Sequence, residues 1–128
     1  MGRSSTGVWM RLPIFVAGAF LLGGMVGALL GVAAGVWDTP VAGFAAAFAV
    51  VVASYDASPR YKLGVAALAL AVGAVVAWWL LRNSHWPEGY PHAYQPTVLP
   101  LACTWAGGCM GYAVCWLISL RNARESEV

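Results

Sequence analysis

Residues 12–36 read LPIFVAGAFLLGGMVGALLGVAAGV and carry no charged side chain. An α-helix rises about 1.5 Å per residue, so this run exceeds the ~20 residues that cross ~30 Å of hydrocarbon. Leu63 to Leu81 and Val98 to Leu120 are likewise free of charge and long enough to span. A fourth run, Val41 to Tyr55, reaches only about 22 Å as a helix. Thr39 and Pro40 lengthen it, and proline suits the first turn of a helix. It reads as a short span, with a re-entrant or interfacial segment as the alternative. The expected architecture is all-α: one transmembrane domain over residues 1–128, an antiparallel four-transmembrane-helix bundle with spans near 12–36, 39–55, 63–81 and 98–120.

Composition agrees with that class. The 128 residues are 61% hydrophobic and 9% charged, against about a quarter charged in soluble domains. Too little polar surface exists to clothe a water-soluble particle. The formal charge is +2, and no Lys/Arg cluster is present to track a phosphate backbone, so nucleic acid is not an expected partner. Arg3, Arg11 and the Val32-Ala33-Ala34 sequence raise a cleavable signal peptide as a rival for the first span. Its apolar run is longer than the usual 7–15 residues, so a retained helix is expected. Met1 to Thr6 fits a myristoylation pattern, but a chain that already spans gains little from a lipid anchor.

The cations set the orientation. With the N-terminus inside, Arg3, Arg11, Arg60, Lys62, Arg121 and Arg124 lie on the cytoplasmic side and Arg82 alone lies outside. That asymmetry predicts an N-in, C-in topology. An even number of spans is needed to keep both ends inside, which supports the short second one. Aromatic rings favour the headgroup level. Trp9, Tyr55, Tyr61 and Trp116 fall near the inner boundary, and Trp37, Trp78, Trp79 and Trp86 near the outer one. Asp38-Thr39-Pro40 turns the first hairpin outside, and Asp56 to Arg60 turns inside with Pro59 interrupting any helix.

The strongest local pattern is Gly23, Gly27, Gly31 and Gly35, preceded by Ala19. Residues four apart share a helix face, and a smooth face lets another backbone approach where packing drives association. The fourth span repeats the device with Cys103, Gly107, Gly111, Cys115 and Ser119. Ala45, Ala49 and Ala53 form a similar stripe in the second span, and Ala69, Gly73 and Ala77 in the third. These stripes predict packing within one bundle or, more sharply, contact between the glycine stripe and another subunit. A four-span chain with Gly23, Gly27, Gly31 and Gly35 in its first helix resembles, in outline, the mitochondrial inner-membrane translocase family and its respiratory-complex relatives. The charged turn from Asp56 to Lys62 departs from that family's basic–acidic signature.

Chemistry is sparse. No charged side chain lies at mid-span; Asp38 and Asp56 sit at span ends, which counts against proton-coupled transport. Polar groups at depth reduce to Ser54, Thr104, Tyr112 and Ser119. Cys103, Cys109 and Cys115 are six apart, point to different sides of a helix and are separated by about 9 Å per step, so they neither pair nor share an ion. The long segment Arg82 to Thr97 holds His85, Glu88 and His92, a set able to ligate a transition metal. Pro87 and Pro91 break the helix that would align them, so a stiff cap with aromatics on the membrane surface is the expected role. No nucleophile–base pair, phosphate loop or paired carboxylate occurs, and no enzyme, cofactor or metal is expected. The reading is a small integral protein of the cell inner membrane, a non-catalytic subunit or assembly element of a larger membrane complex that docks through its small-residue helix stripes. Its partners would be the lipid bilayer, other membrane subunits or its own copies. The alternative is a self-oligomerising small channel or transporter.

Overall fold

A computed structural model describes residues 5–58, 61–91 and 93–127; Arg3, Pro59, Arg60 and His92 lie outside the described residues. The chain forms four helices: α1 (Ser5–Ala34), α2 (Asp38–Ala57), α3 (Lys62–Leu81) and α4 (Leu99–Ser126). All four are long and apolar enough to cross a membrane. At 20 residues, α2 is about 30 Å long and reaches the bilayer thickness.

All four helices outrun the charge-free stretches, α2 by taking in Asp38 and Asp56, α3 by taking in Lys62, and α1 and α4 furthest. α1 begins seven residues before Leu12 and passes through Arg11 and Pro13. α4 continues beyond Leu120 to Ser126, where Arg121 Nε lies 3.2 Å from Glu125 Oε1 one turn on. Charge stops a hydrocarbon span but not a helix, and an i,i+4 pair supports the last turn. At the other end of α1, Gly35 takes φ +73 and donates its N–H to the Val32 carbonyl, while the Val36 N–H returns to Gly31. This pair of bonds is a Schellman C-cap, which requires a left-handed residue at the Gly35 position.

Contacts between helices fix the directions. Along α1, Gly23, Gly27 and Gly31 meet Ala49/Ala45, Ala45/Val41 and Asp38 in falling order, so α1 and α2 are antiparallel. Along α4, Gly107 and Gly111 meet Phe44 and Phe48 in rising order, so α2 and α4 are parallel. Trp105 Nε1 donates to the Ala74 carbonyl at 3.1 Å and Gly108 faces Leu70, which runs α3 antiparallel to α4. The helices go up, down, up, down.

They do not close into a square. Among the described residues, α2 packs against all three others, and α3 against α4, but α1 packs against α2 alone. The core reflects this: Val51, Ala66 and Cys115 are buried, with Val52, Tyr55, Leu63, Leu70 and Tyr112 around them, all from α2, α3 and α4. The architecture is a three-helix bundle with α1 strapped to the outside of its central helix. Buried hydroxyls are satisfied locally: Ser54 donates to Val50 O at 2.7 Å, Ser58 to Ser54 O, and Thr104 to Pro100 O at 2.7 Å. Elsewhere the surface is apolar, with Ile14, Leu21, Leu29, Val75 and Trp79 each more than 60% exposed. Such a skin is stable only against lipid or another apolar surface.

Candidate functional site

The sequence-predicted packing residues fall into two seams on opposite flanks of α2. In the first, a Cβ placed on Gly27 would lie 2.7 Å from the Val41 carbonyl and 2.8 Å from Ala42 Cα. On Gly23 it would lie 2.8 Å from Ala49 Cβ, and on Gly31, 2.8 Å from Asp38 Cα. The glycine stripe of α1 and the Ala45–Ala49 stripe of α2 are therefore the two sides of one interface within the chain. Gly35 is outside it, with nothing within 4 Å, and serves as the helix cap.

The second seam joins α2 to α4. A Cβ on Gly107 would run into the Phe44 carbonyl, and on Gly111 it would lie 3.1 Å from the Phe48 carbonyl. Gly43 and Thr104 meet at the same seam, while on the next face of α4 Gly108 meets Leu70 of α3. Of the residues expected on the α4 stripe, Cys115 is fully buried and Cys103 half-buried. All three cysteines are free thiols, and Cys109 is exposed. On α3, Gly73 is exposed with nothing within 4 Å, although Ala77 is buried.

Because α1 reaches neither α3 nor α4, an open groove runs along α2 between α1 and α4. Its upper half is walled by Leu22, Val26 and Leu30 of α1 and by Met110 of α4, with Phe44 and Phe48 on the floor. The lower half continues past Phe48 and Ala49 to Phe15, Ile118, Tyr55 and Asp56. From Val41 to Asp56 the floor extends about 22 Å along the helix. The lining is apolar apart from its last turn, where Tyr55 and Asp56 stand. No family pattern of spacing announces such a groove; it exists because one helix lacks a second neighbour.

Beyond the other end of the bundle, the connection from α3 to α4 folds back on itself. Trp86 N–H donates to Gln95 O at 3.0 Å, Tyr94 N–H to Trp86 O at 2.9 Å, and Thr97 N–H to Ser84 O at 2.9 Å. His85 and Pro96 form an isolated antiparallel bridge. Gly89 and Tyr94 supply the positive φ angles that these reversals need, +92 and +65. Trp86 and Tyr90 lie against Trp37 of the α1–α2 turn, with ring centroids 5.1 and 6.4 Å away. The segment is a folded cap that ties the outlying hairpin to the rest of the chain. His85 and Glu88 are exposed on it, and His92 is outside the described residues. Among the described residues, no three His, Cys, Asp or Glu side chains gather where they could hold a metal ion.

No protein family, curated protein or solved structure matches the chain. The outline resemblance to the translocase family is thus one of span count and glycine spacing, without a match behind it.

Proposed function

We propose that this chain is a four-span, non-catalytic docking subunit of a membrane assembly. In this reading it sits N-in and C-in in the cell inner membrane and receives a further apolar helix in the groove between α1 and α4. The observation that carries the reading is the groove itself. It extends about 22 Å along α2, most of the hydrocarbon thickness, is apolar along its walls, and is flanked by a helix whose one helix partner among the described residues is α2. A long apolar slot suits the middle turns of a spanning helix, because association in lipid comes from packing contact rather than from hydrophobic transfer. The glycine seams support the reading indirectly: they hold the two walls apart at fixed distances instead of serving as the docking faces. Against a pore or carrier within one copy, the Ser54 and Thr104 hydroxyls bond their own backbone and no charged side chain lines the upper groove.

Topology is the first requirement. Reporter fusions at Ser58 and after Val128 should report cytoplasm, and fusions at Thr39 and Gly89 the opposite side; a cytoplasmic Gly89 would remove the four-span reading.

Docking is tested by a photo-cross-linking residue in place of Phe48, which lines both halves of the groove. In the native membrane it should form an adduct with a stoichiometric protein chain. Native mass in mild detergent should exceed the 13.5 kDa of one chain by the same component. Adducts with lipid alone, together with a monomeric mass, would overturn the proposal.

A further inference from the structure

Two charged side chains at one end of the groove have no ion-pair partner among the described residues. Asp56 closes the groove floor at the last turn of α2 and is exposed. Lys62 is nearby, but its ammonium goes to the backbone carbonyls of Tyr55 and Asp56, at 3.4 and 3.3 Å, where it caps the α2 C-terminus. Arg11 is exposed on α1 one turn before Phe15, which stands on the groove wall. The salt bridge found among the described residues is Arg121–Glu125, so neither Arg11 nor Asp56 is in an ion pair with another described residue.

The flank of α1 facing away from α2 has its own regular seam. Arg11, Phe15, Gly18, Leu22 and Leu29 recur at steps of four, three, four and seven, the spacing of a helix–helix contact line. A Cβ on Gly18 would meet nothing within 4 Å. Phe15, Leu22 and Leu29 are 51%, 65% and 64% exposed. Among the described residues this flank is unpartnered, and so is the groove beside it.

Resting on the docking reading above, we infer that the helix received is α1 of a second copy of this chain, in a two-fold dimer whose axis runs along the helices. Such an axis keeps both copies at the same level. Each α1 then lies in the groove of the other, and the contact closes on itself instead of propagating. Arg11 of each copy comes to the groove's charged end, one turn from Asp56 of the other, within the reach of an arginine side chain. The two unpaired charges become two reciprocal ion pairs.

The test uses the full chain in vesicles, with Cys103, Cys109 and Cys115 replaced by alanine. Leu30 and its copy fall beside the axis, so Leu30→Cys should cross-link to itself on oxidation. Leu21→Cys, on the opposite side of α1 and 65% exposed, should not. Arg11→Asp or Asp56→Arg should each lower the Leu30 cross-linked fraction by about fivefold, the sum of two exposed pairs lost per dimer. Combining Arg11→Asp with Asp56→Arg should restore it. Equal cross-linking at Leu21 and Leu30, or no recovery in the charge-swapped chain, would overturn the dimer. If Leu30→Cys fails while the Phe48 cross-linker captures a different chain, self-pairing falls and the docking reading stands. If Phe48 captures only lipid, both fall.

Discussion

Gly107→Ala should unfold the chain in conditions where Gly108→Ala leaves it intact. The added methyl on Gly107 would fall on the Phe44 carbonyl and stand 2.8 Å from Phe44 Cα. Both obstacles are backbone inside a helix, and backbone gives way only if the whole helix moves. Overpacking of this kind costs about 1–3 kcal/mol and occasionally more. Because α2 and α4 cannot separate without disturbing α3, the upper end applies, about 3 kcal/mol or a hundredfold in the folding equilibrium. At Gly108 the nearest obstacle is the tip of Leu70, 2.8 Å away, followed by Ala47 Cβ at 3.9 Å. A leucine tip rotates aside, so that variant should lose under about 1 kcal/mol, part of it regained from alanine's better helix propensity. Denaturant titration of the purified protein in mixed micelles measures both. Equal loss at the two positions would mean that α2 and α4 do not approach as closely as this seam requires.

How much of this was legible beforehand differs from feature to feature. The four helices were plain because each lacks charge over its span. The ends were not, because Arg121-Asn122-Ala123-Arg124 continues a helix as readily as it leaves a membrane. Spacing by four marked Gly23, Gly27 and Gly31 as one face. Spacing cannot name the partner, and the answer, Ala45 and Ala49 of α2, needed coordinates. Gly35 keeps the same spacing yet has a different task, since a residue at the helix end answers to the turn and not to the face. On α4 the steps of four starting at Cys103 missed Thr104 and Gly108. A helix of 3.6 residues per turn drifts, so the contacting face alternates steps of three and four. The isolation of α1 had no sequence signal, because nearly every side of that helix is apolar and no polar stripe betrays a free face. Trp37 and Trp86 were both placed at one membrane level by composition. Their contact at 5.1 Å depends on how the 82–98 segment folds back, which Gly89 and Tyr94 decide. The groove followed from the isolation of α1, so it too was beyond the reach of pattern.

Gly27→Leu should have a different consequence from any change at Gly107, because it acts on a helix with one neighbour. A side chain at Gly27 meets the Val41 carbonyl at 2.7 Å and Ala42 Cα and Ala45 Cβ at 2.8 Å. Leucine adds three further carbons, so the two backbones must part and the dispersion contact along the whole Gly23–Gly31 face is lost. Lipid replaces part of that contact, which leaves a cost of about 3 kcal/mol, the upper end for an insertion into a packed seam. Since α1 touches only α2, the damage should be confined: α1 swings free while α2, α3 and α4 keep their core at Val51, Ala66 and Cys115. Hydrogen exchange followed by peptide mass in detergent should show protection falling in residues 14–31 and holding in residues 45–56 and 101–118. With its wall displaced the groove ceases to exist, so the Leu30→Cys cross-link should vanish as well. Gly24→Leu is the control, one step round the helix, where a Cβ would meet only Ala46 Cβ at 3.8 Å. It should be the milder variant and keep the cross-link. Protection lost throughout the chain in Gly27→Leu would show that α1 is integral to the core. Equal damage from Gly24→Leu would show that the glycine face has no privileged role in holding α1, and the groove that depends on it would lose its geometric basis.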